Sequence, residues 1–225
     1  EAIKNATTKN TVAVMLEPVQ GEGGVNVPSE NYLSDVRSWC DQNDMLLILD
    51  EVQTGFGRLG SLFGYQQFNI EPDIMTLAKG LGGGVPIGAF LAKDSACAFE
   101  PGDHGSTFGG NALTTAAAHA SCKYIIDNDI PSEAKIKGDH LQAGLLKLLD
   151  SISIITDVRG MGLLWAVEFA DEITPKVIEN ANNLGLLMNP TRPNLIRLMP
   201  PLTVSINELD EALNRLESAI QMATK

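Results

Sequence analysis

The sequence predicts an α/β chain in two parts: a mostly parallel sheet covered by helices on both faces, then a smaller α+β unit. Three observations carry that prediction. Short apolar, β-branched runs alternate with segments of helical spacing, the pattern of βαβ units. The runs are continuously apolar instead of alternating in polarity, as strands buried on both faces are. Composition shifts near Asp129, beyond which amphipathic helices dominate, so the predicted domains are 1–128 and 129–225.

Thr11–Glu17 (TVAVMLE) reads as a buried strand stopped by Pro18. Ser29 is the predicted N-cap of a helix in which Tyr32, Leu33, Val36, Trp39 and Cys40 fall at helical spacing. Asn43-Asp44 ends it. Met45–Leu49 (MLLIL) is the next strand, and Asp73–Leu77 (DIMTL) and Pro86–Ala92 (PIGAFLA) continue the series. Ala112–Ile126 is an Ala-rich helix, broken by Asp127–Pro131. Ser132–Leu149 is an amphipathic helix through Leu141, Leu145 and Leu148. Strands follow at Ile152–Thr156 and Gly162–Phe169, then a helix around Thr174–Asn183. A strand at Leu195–Met199 is closed by Pro200-Pro201. The last helix, Asn207–Met222, takes Asn207 as its N-cap.

The net charge of −12 argues against a nucleic acid or an anionic membrane as partner. The cysteines, Cys40, Cys97 and Cys122, are far apart and form neither a CxxC nor a pairable framework, which points to a reducing cytoplasm. No apolar run approaches transmembrane length. The chain opens at Glu1 in what reads as mid-domain, so a partial chain is expected.

Gly55-Phe56-Gly57-Arg58-Leu59-Gly60 fits G-x-G-x-x-G. A dinucleotide fingerprint needs its first glycine at the strand end and a helix opening within the motif. Here DEVQT separates strand from glycine and FGYQQF interrupts any helix, so these glycines read as loop. Asp50-Glu51 sits where open α/β sheets bind ligands, beyond a strand's carboxyl end, although spacing alone favours an exposed loop start. Lys79 ends the next strand and precedes Gly80-Leu81-Gly82-Gly83-Gly84. A P-loop would place its lysine after the glycines. Lys79 is therefore either a surface lysine or a Schiff-base lysine among glycines that let a ligand approach. Consecutive strands ending in a carboxylate and an amine are what pyridoxal phosphate needs: an amine for its aldehyde carbon and a carboxylate to keep its ring nitrogen protonated. His119 and His140 lack metal-ligand spacing and read as structural; no metal is expected.

LILDEVQTGFGRLG with PDIMTLAKGLGGGVPIGA resembles the signature of the class III (ornithine-type) aminotransferases. So do EPVQGEGG (17–24), HGSTFGGN (104–111), RGMGL (159–163) and IRLMPPL (196–202), and the resemblance covers essentially the whole chain. It implies the PLP-dependent transferase fold type I: a partial large domain with a mostly parallel sheet, plus a C-terminal α+β small domain. It also implies the site. Lys79 would bind the cofactor and carry protons, and Asp50 would pair with the pyridine N–H. Val52 would pack on one ring face, and Gln53 would bond the 3-hydroxyl. Thr107, with Ser106 beside it, would reach the phosphate of a neighbouring subunit's cofactor, making a homodimer with shared sites. Arg197 would clamp a substrate carboxylate, with Glu22 as a gate that pairs with it or releases it. The implied reaction, in arginine biosynthesis, passes the amino group of N-acetylornithine to 2-oxoglutarate, giving N-acetylglutamate 5-semialdehyde and glutamate. Ornithine, succinylornithine or 4-aminobutyrate are alternative donors, and a non-catalytic, incomplete cofactor domain is an alternative of another kind. The family's N-terminal portion has no counterpart here. It carries a phosphate-holding loop at a helix N-terminus, a second ring-stacking residue and a second substrate arginine.

Overall fold

The computed structural model describes residues 1–225, which form two compact units. The first comprises Glu1–Pro18, Pro28–Gly57 and Ser61–Asp129; the second comprises Val19–Val27, Arg58–Gly60 and Ile130–Lys225.

The first unit contains α1 (Ala2–Ala6), β1 (Ala13–Leu16), α2 (Tyr32–Gln42), β2 (Leu46–Asp50), β3 (Ile74–Leu77), β4 (Ala89–Ala92) and α3 (Ala112–Asp127). Its sheet has the order β1-β2-β3-β4. β1, β2 and β3 are parallel, with Leu16 level with Leu49 and Asp50 level with Thr76. The expected mostly parallel sheet therefore holds for three strands, while β4 runs antiparallel to β3. The reason lies in the connection between them. Residues 78–88 hold only a short 3-10 turn, and a parallel crossover needs a longer link, usually a helix. Leu33, Val36, Cys40, Leu47 and Leu49 form the core between α2 and the sheet. α2 starts after Asn31, not Ser29, because the Tyr32 N–H bonds the Ser29 carbonyl in a turn that precedes the helix.

The second unit contains α4 (Ile130–Ser151), β5 (Ile155–Met161), β6 (Leu164–Phe169), α5 (Thr174–Asn183), β7 (Asn189–Arg192), β8 (Leu195–Leu198) and α6 (Ile206–Ala223). Its antiparallel sheet has the order β5-β6-β8-β7. Trp165, Val167, Phe169 and Ile196 meet Leu141, Leu145, Leu216 and Ile220 in its core. α3 ends at Asp127 as expected, but α4 begins at Ile130 and not at Ser132, because Pro131 belongs to the helix. This proline sits in the first turn, where no N–H is needed. The strand expected at Ile152–Thr156 begins only at Ile155, since Ile152 still bonds the Leu148 carbonyl of α4. Gly162, at φ +55°, turns the chain from β5 into β6. β7 escaped the sequence reading because Pro190 suits only an edge strand. Ser205 caps α6 instead of Asn207. Its hydroxyl accepts the Glu208 N–H at 3.2 Å and the Glu208 carboxylate accepts the Ser205 N–H at 2.8 Å, a capping box. No helix is long and apolar enough to cross a membrane.

Candidate active site

Asp50 is the last residue of β2, and its Oδ1 accepts the Val52 N–H at 2.9 Å. That local bond turns the chain away from the sheet. Glu51, the next residue, is 0% exposed. Its carboxylate accepts the Gly64 and Tyr65 N–H groups, each at 2.8 Å, and the Thr54 hydroxyl. The amides belong to the 3-10 turn Gly64–Phe68, whose first N–H groups would otherwise lack partners. Burial pushes the Glu51 carboxyl above its usual range, against the pull of these donors. The sequence offers Asp50-Glu51 as an exposed loop start, and for Glu51 the structure corrects that: its partners Gly64 and Tyr65 lie 13 and 14 residues further on, beyond the reach of local spacing. Val52 and Gln53 follow in the same turn, both half-buried.

Lys79 leaves β3 three residues after Thr76, the residue level with Asp50. Asp50 and Lys79 thus emerge at the carboxyl ends of neighbouring parallel strands. Lys79 is exposed and held at φ +41°, a left-handed conformation that costs a residue with a side chain on the order of 1–3 kcal/mol. Its surroundings hold it there. A Cβ on Gly80 would stand 3.3 Å from the Phe56 Cβ, and a Cβ on Gly82 would stand 2.9 Å from Ile87. The Ser121 hydroxyl of α3 bonds the Gly80 carbonyl at 3.1 Å. Phe56 is buried, with its ring edge-on to Phe63 at 5.8 Å. The GFG segment is therefore the floor under the lysine loop and more than a connector.

Ser106 and Thr107 lie on an exposed stretch before α3, where the Ser106 hydroxyl accepts the Gly109 N–H at 2.8 Å. An amine, a carboxylate and an amide, from Lys79, Asp50 and Gln53, are the groups that an aldehyde, a ring N–H and a phenolic oxygen require. The residues present fit pyridoxal phosphate on that chemistry.

In the second unit, Arg197 sits on β8 level with Ala166 of β6 and Asn189 of β7. Its side chain is 9% exposed, while that of Glu22, bonded to it at 2.6 Å, is 72% exposed. Glu22 lies in the turn of a hairpin whose Gln20 and Asn26 exchange backbone hydrogen bonds of 3.1 Å. The sequence-derived pair is thus in contact. Arg58 bonds the Leu163 and Pro200 carbonyls at 3.0 and 2.6 Å, and Leu163 N–H returns to the Arg58 carbonyl at 2.9 Å. Burial lowers the Arg58 pKa to about 10. His140 pairs with Asp210 of α6 at 2.6 Å.

The family profile for aminotransferase class III matches residues 1–220. The acetylornithine aminotransferase of Methanothermobacter thermautotrophicus is 47% identical over 220 residues, which are 97% of this chain and 56% of that protein. Ornithine aminotransferase 2 of Staphylococcus saprophyticus is 43% identical over 223 residues, 98% of this chain and 56% of that protein. Among solved structures, the ornithine aminotransferase of Plasmodium yoelii superposes with a TM-score of 0.90 at 37% identity, over 94% of this chain and 57% of that one. The chain spans about half the length of the relatives it matches.

Proposed function

The chain belongs to the class-III aminotransferases, and on that premise we propose that a full-length enzyme containing it passes the δ-amino group of N-acetylornithine to 2-oxoglutarate. Pyridoxal phosphate, the cofactor of this class, supplies when bound an aldehyde to capture the amine and a ring that takes up the electrons released at the substrate carbon. The Lys79 Nζ would hold the aldehyde and serve as the base that moves a proton at the donor carbon. The Asp50 carboxylate would keep the ring nitrogen protonated. Val52 and the Gln53 amide would hold the ring, Gln53 through its hydroxyl oxygen. Thr107, with Ser106, serves the phosphate of a second copy, so the enzyme works as a homodimer. The Arg197 guanidinium binds a substrate carboxylate. Glu22 occupies it while the ω-amino donor reacts and yields it to 2-oxoglutarate. The enzyme works in a reducing cytoplasm, in arginine biosynthesis.

The observation that supports this reading most is the emergence of Asp50 and Lys79 at the carboxyl ends of hydrogen-bonded parallel strands. Free ornithine is the second reading, favoured by the Staphylococcus relative. Donor profiling of a full-length enzyme with 2-oxoglutarate separates the two: N-acetylornithine is expected to have the highest kcat/KM, and a preference for ornithine would replace it. Lys79→Ala is expected to abolish the visible absorbance of lysine-bound cofactor and to slow turnover by more than ~10⁴-fold. An unchanged band would refute the assignment of Lys79.

A further inference from the structure

Three arginines from three strands of one sheet converge on one tight turn. Arg159 of β5 donates from Nε and Nη2 to the Gly24 carbonyl at 3.1 and 2.9 Å. Arg192 of β7 donates from Nη2 to the Gly23 carbonyl at 2.5 Å. Arg197 of β8 takes the Glu22 side chain at 2.6 Å.

On the turn, Arg159 and Arg192 bond main-chain carbonyls, whereas Arg197 bonds the Glu22 side chain. Arg159 cannot swing freely, because Asp157 and Glu168 each hold its Nη1 at 2.6 Å. The Gly23 carbonyl also accepts the Asn26 side-chain amide at 3.2 Å, and that amide bonds the Gln20 side chain at 2.7 Å. Val19 and Val25, on either side of the turn, are 0% exposed. Gly24 has φ +117°, and a Cβ there would stand 3.3 Å from the Arg192 Cζ, so the guanidinium lies close against the turn as well as bonding to it. Shifting this turn as a body would break the bonds to both carbonyls at once. Rotating Glu22 breaks a side-chain ion pair and leaves the main chain in place.

We propose that Arg159 and Arg192 are positioning residues that immobilise the main chain of the Gly21–Gly24 turn, so that a substrate carboxylate competes with Glu22 for Arg197 through side-chain rotation alone. This rests on reading Arg197 as the substrate-carboxylate site. It gives a shared task to two motifs that the chemistry otherwise leaves unused, the glycines of EPVQGEGG and the arginine of RGMGL. A fixed turn presents Glu22 at one height and angle, so the balance between ω-amino donors and dicarboxylates is set by geometry already present. A loose turn would let Glu22 wander and weaken its hold on Arg197, favouring dicarboxylates.

The test uses the cofactor-loaded full-length enzyme with Glu22→Gln, Arg192→Met and the double variant. The readouts are the ratio of kcat/KM for the ω-amino donor to that for glutamate, and the affinity for glutarate by calorimetry. Glu22→Gln is expected to lower the ratio and tighten glutarate. Arg192→Met is expected to move both in the same direction, the ratio by roughly 3- to 10-fold, and to add nothing in the Glu22→Gln background. Gly24→Ala, which crowds the same guanidinium, is expected to act as Arg192→Met does and serves if that variant fails to fold. A shift in Glu22→Gln with none in Arg192→Met or Gly24→Ala overturns the mount and leaves the gate standing. No shift in Glu22→Gln overturns the gate and the mount with it. Equal losses for both donors with unchanged glutarate affinity in Arg192→Met mark a folding role only, and also overturn the mount.

Discussion

Each unit presents one acidic side chain from a turn whose main chain is pinned, and the pins carry opposite charge. In the first unit Asp50 is presented, and the neighbouring Glu51 pins the turn by accepting the Gly64 and Tyr65 amides and the Thr54 hydroxyl. In the second unit Glu22 is presented, and Arg159 and Arg192 pin the turn by donating to the Gly24 and Gly23 carbonyls. The anionic pin is nearly local, with partners up to 14 residues away. The cationic pins span 135 and 169 residues and close only once their sheet has formed. Sign of charge does not distinguish the presented group from the pin. Burial does not either: the pin Glu51 is 0% exposed, whereas the pin Arg192 is open to solvent, as the presented Glu22 is. What distinguishes them is the partner, main-chain groups for each pin.

The comparison breaks most visibly if the presented and pinning carboxylates of the first unit turn out alike. Asp50→Ala in a full-length enzyme is expected to cost roughly 10²–10⁴ in kcat and to weaken cofactor retention. The unfolding midpoint without cofactor should move less than in Glu51→Ala, since only one local bond, from the Val52 N–H, loses its acceptor. Near-normal turnover would remove Asp50 from the chemistry. Glu51→Ala should do the reverse and lower stability first. It leaves two amides and a hydroxyl without their acceptor, at about 1–3 kcal/mol each, so a loss of about 3–5 kcal/mol by denaturant titration is expected. A wild-type midpoint would mean that Glu51 pins nothing.

Arg58 sharpens the contrast at a smaller amplitude. Arg58→Met removes the bonds to Leu163 and Pro200, but it also relieves a guanidinium whose pKa burial has lowered to about 10. The opposing effects leave an expected loss of about 1–2 kcal/mol, read by the same titration. A loss as large as that of Glu51→Ala would contradict it.

What the sequence disclosed follows the same division. The places of Asp50 and Lys79 at strand ends were legible because each follows an apolar run. The contact of Glu22 with Arg197 came from resemblance to a family; 175 residues separate them, and no periodicity spans that distance. Glu51, Arg58, Arg159 and Arg192 were not legible as pins, because their partners are main-chain groups that every residue type supplies. The strand boundaries slipped where main-chain bonds outran the pattern. Ile152 looks like strand but finishes α4. The antiparallel β4 slipped for a related reason, since its apolar run says buried or exposed but nothing about direction.

The smallest expected effect is a difference in pH response between the two turns. The folded-state pKa of Glu51 is raised, so the native form holds this proton more firmly than the unfolded chain does. Stability from this group is present below the unfolded value of about 4.3 and declines as pH rises through the raised folded value. Asp73 acts oppositely in the same unit. Burial alone would raise it, but the Leu47 N–H and Arg37, each at 2.7 Å, with Lys93 nearby, together hold it below the usual carboxylate range. Its contribution is present above the unfolded value of about 3.9 and is lost as pH falls through the folded value. Amide exchange corrected for its intrinsic pH dependence is the measurement. Protection of Leu46–Asp50 should weaken as pH rises from about 4.5 towards neutrality, and this slope should vanish in Glu51→Gln. Asp73→Asn should flatten the acid side only. Protection of Leu195–Leu198 should follow neither substitution; a parallel response there would show that the two pins are not independent and that the contrast between them fails.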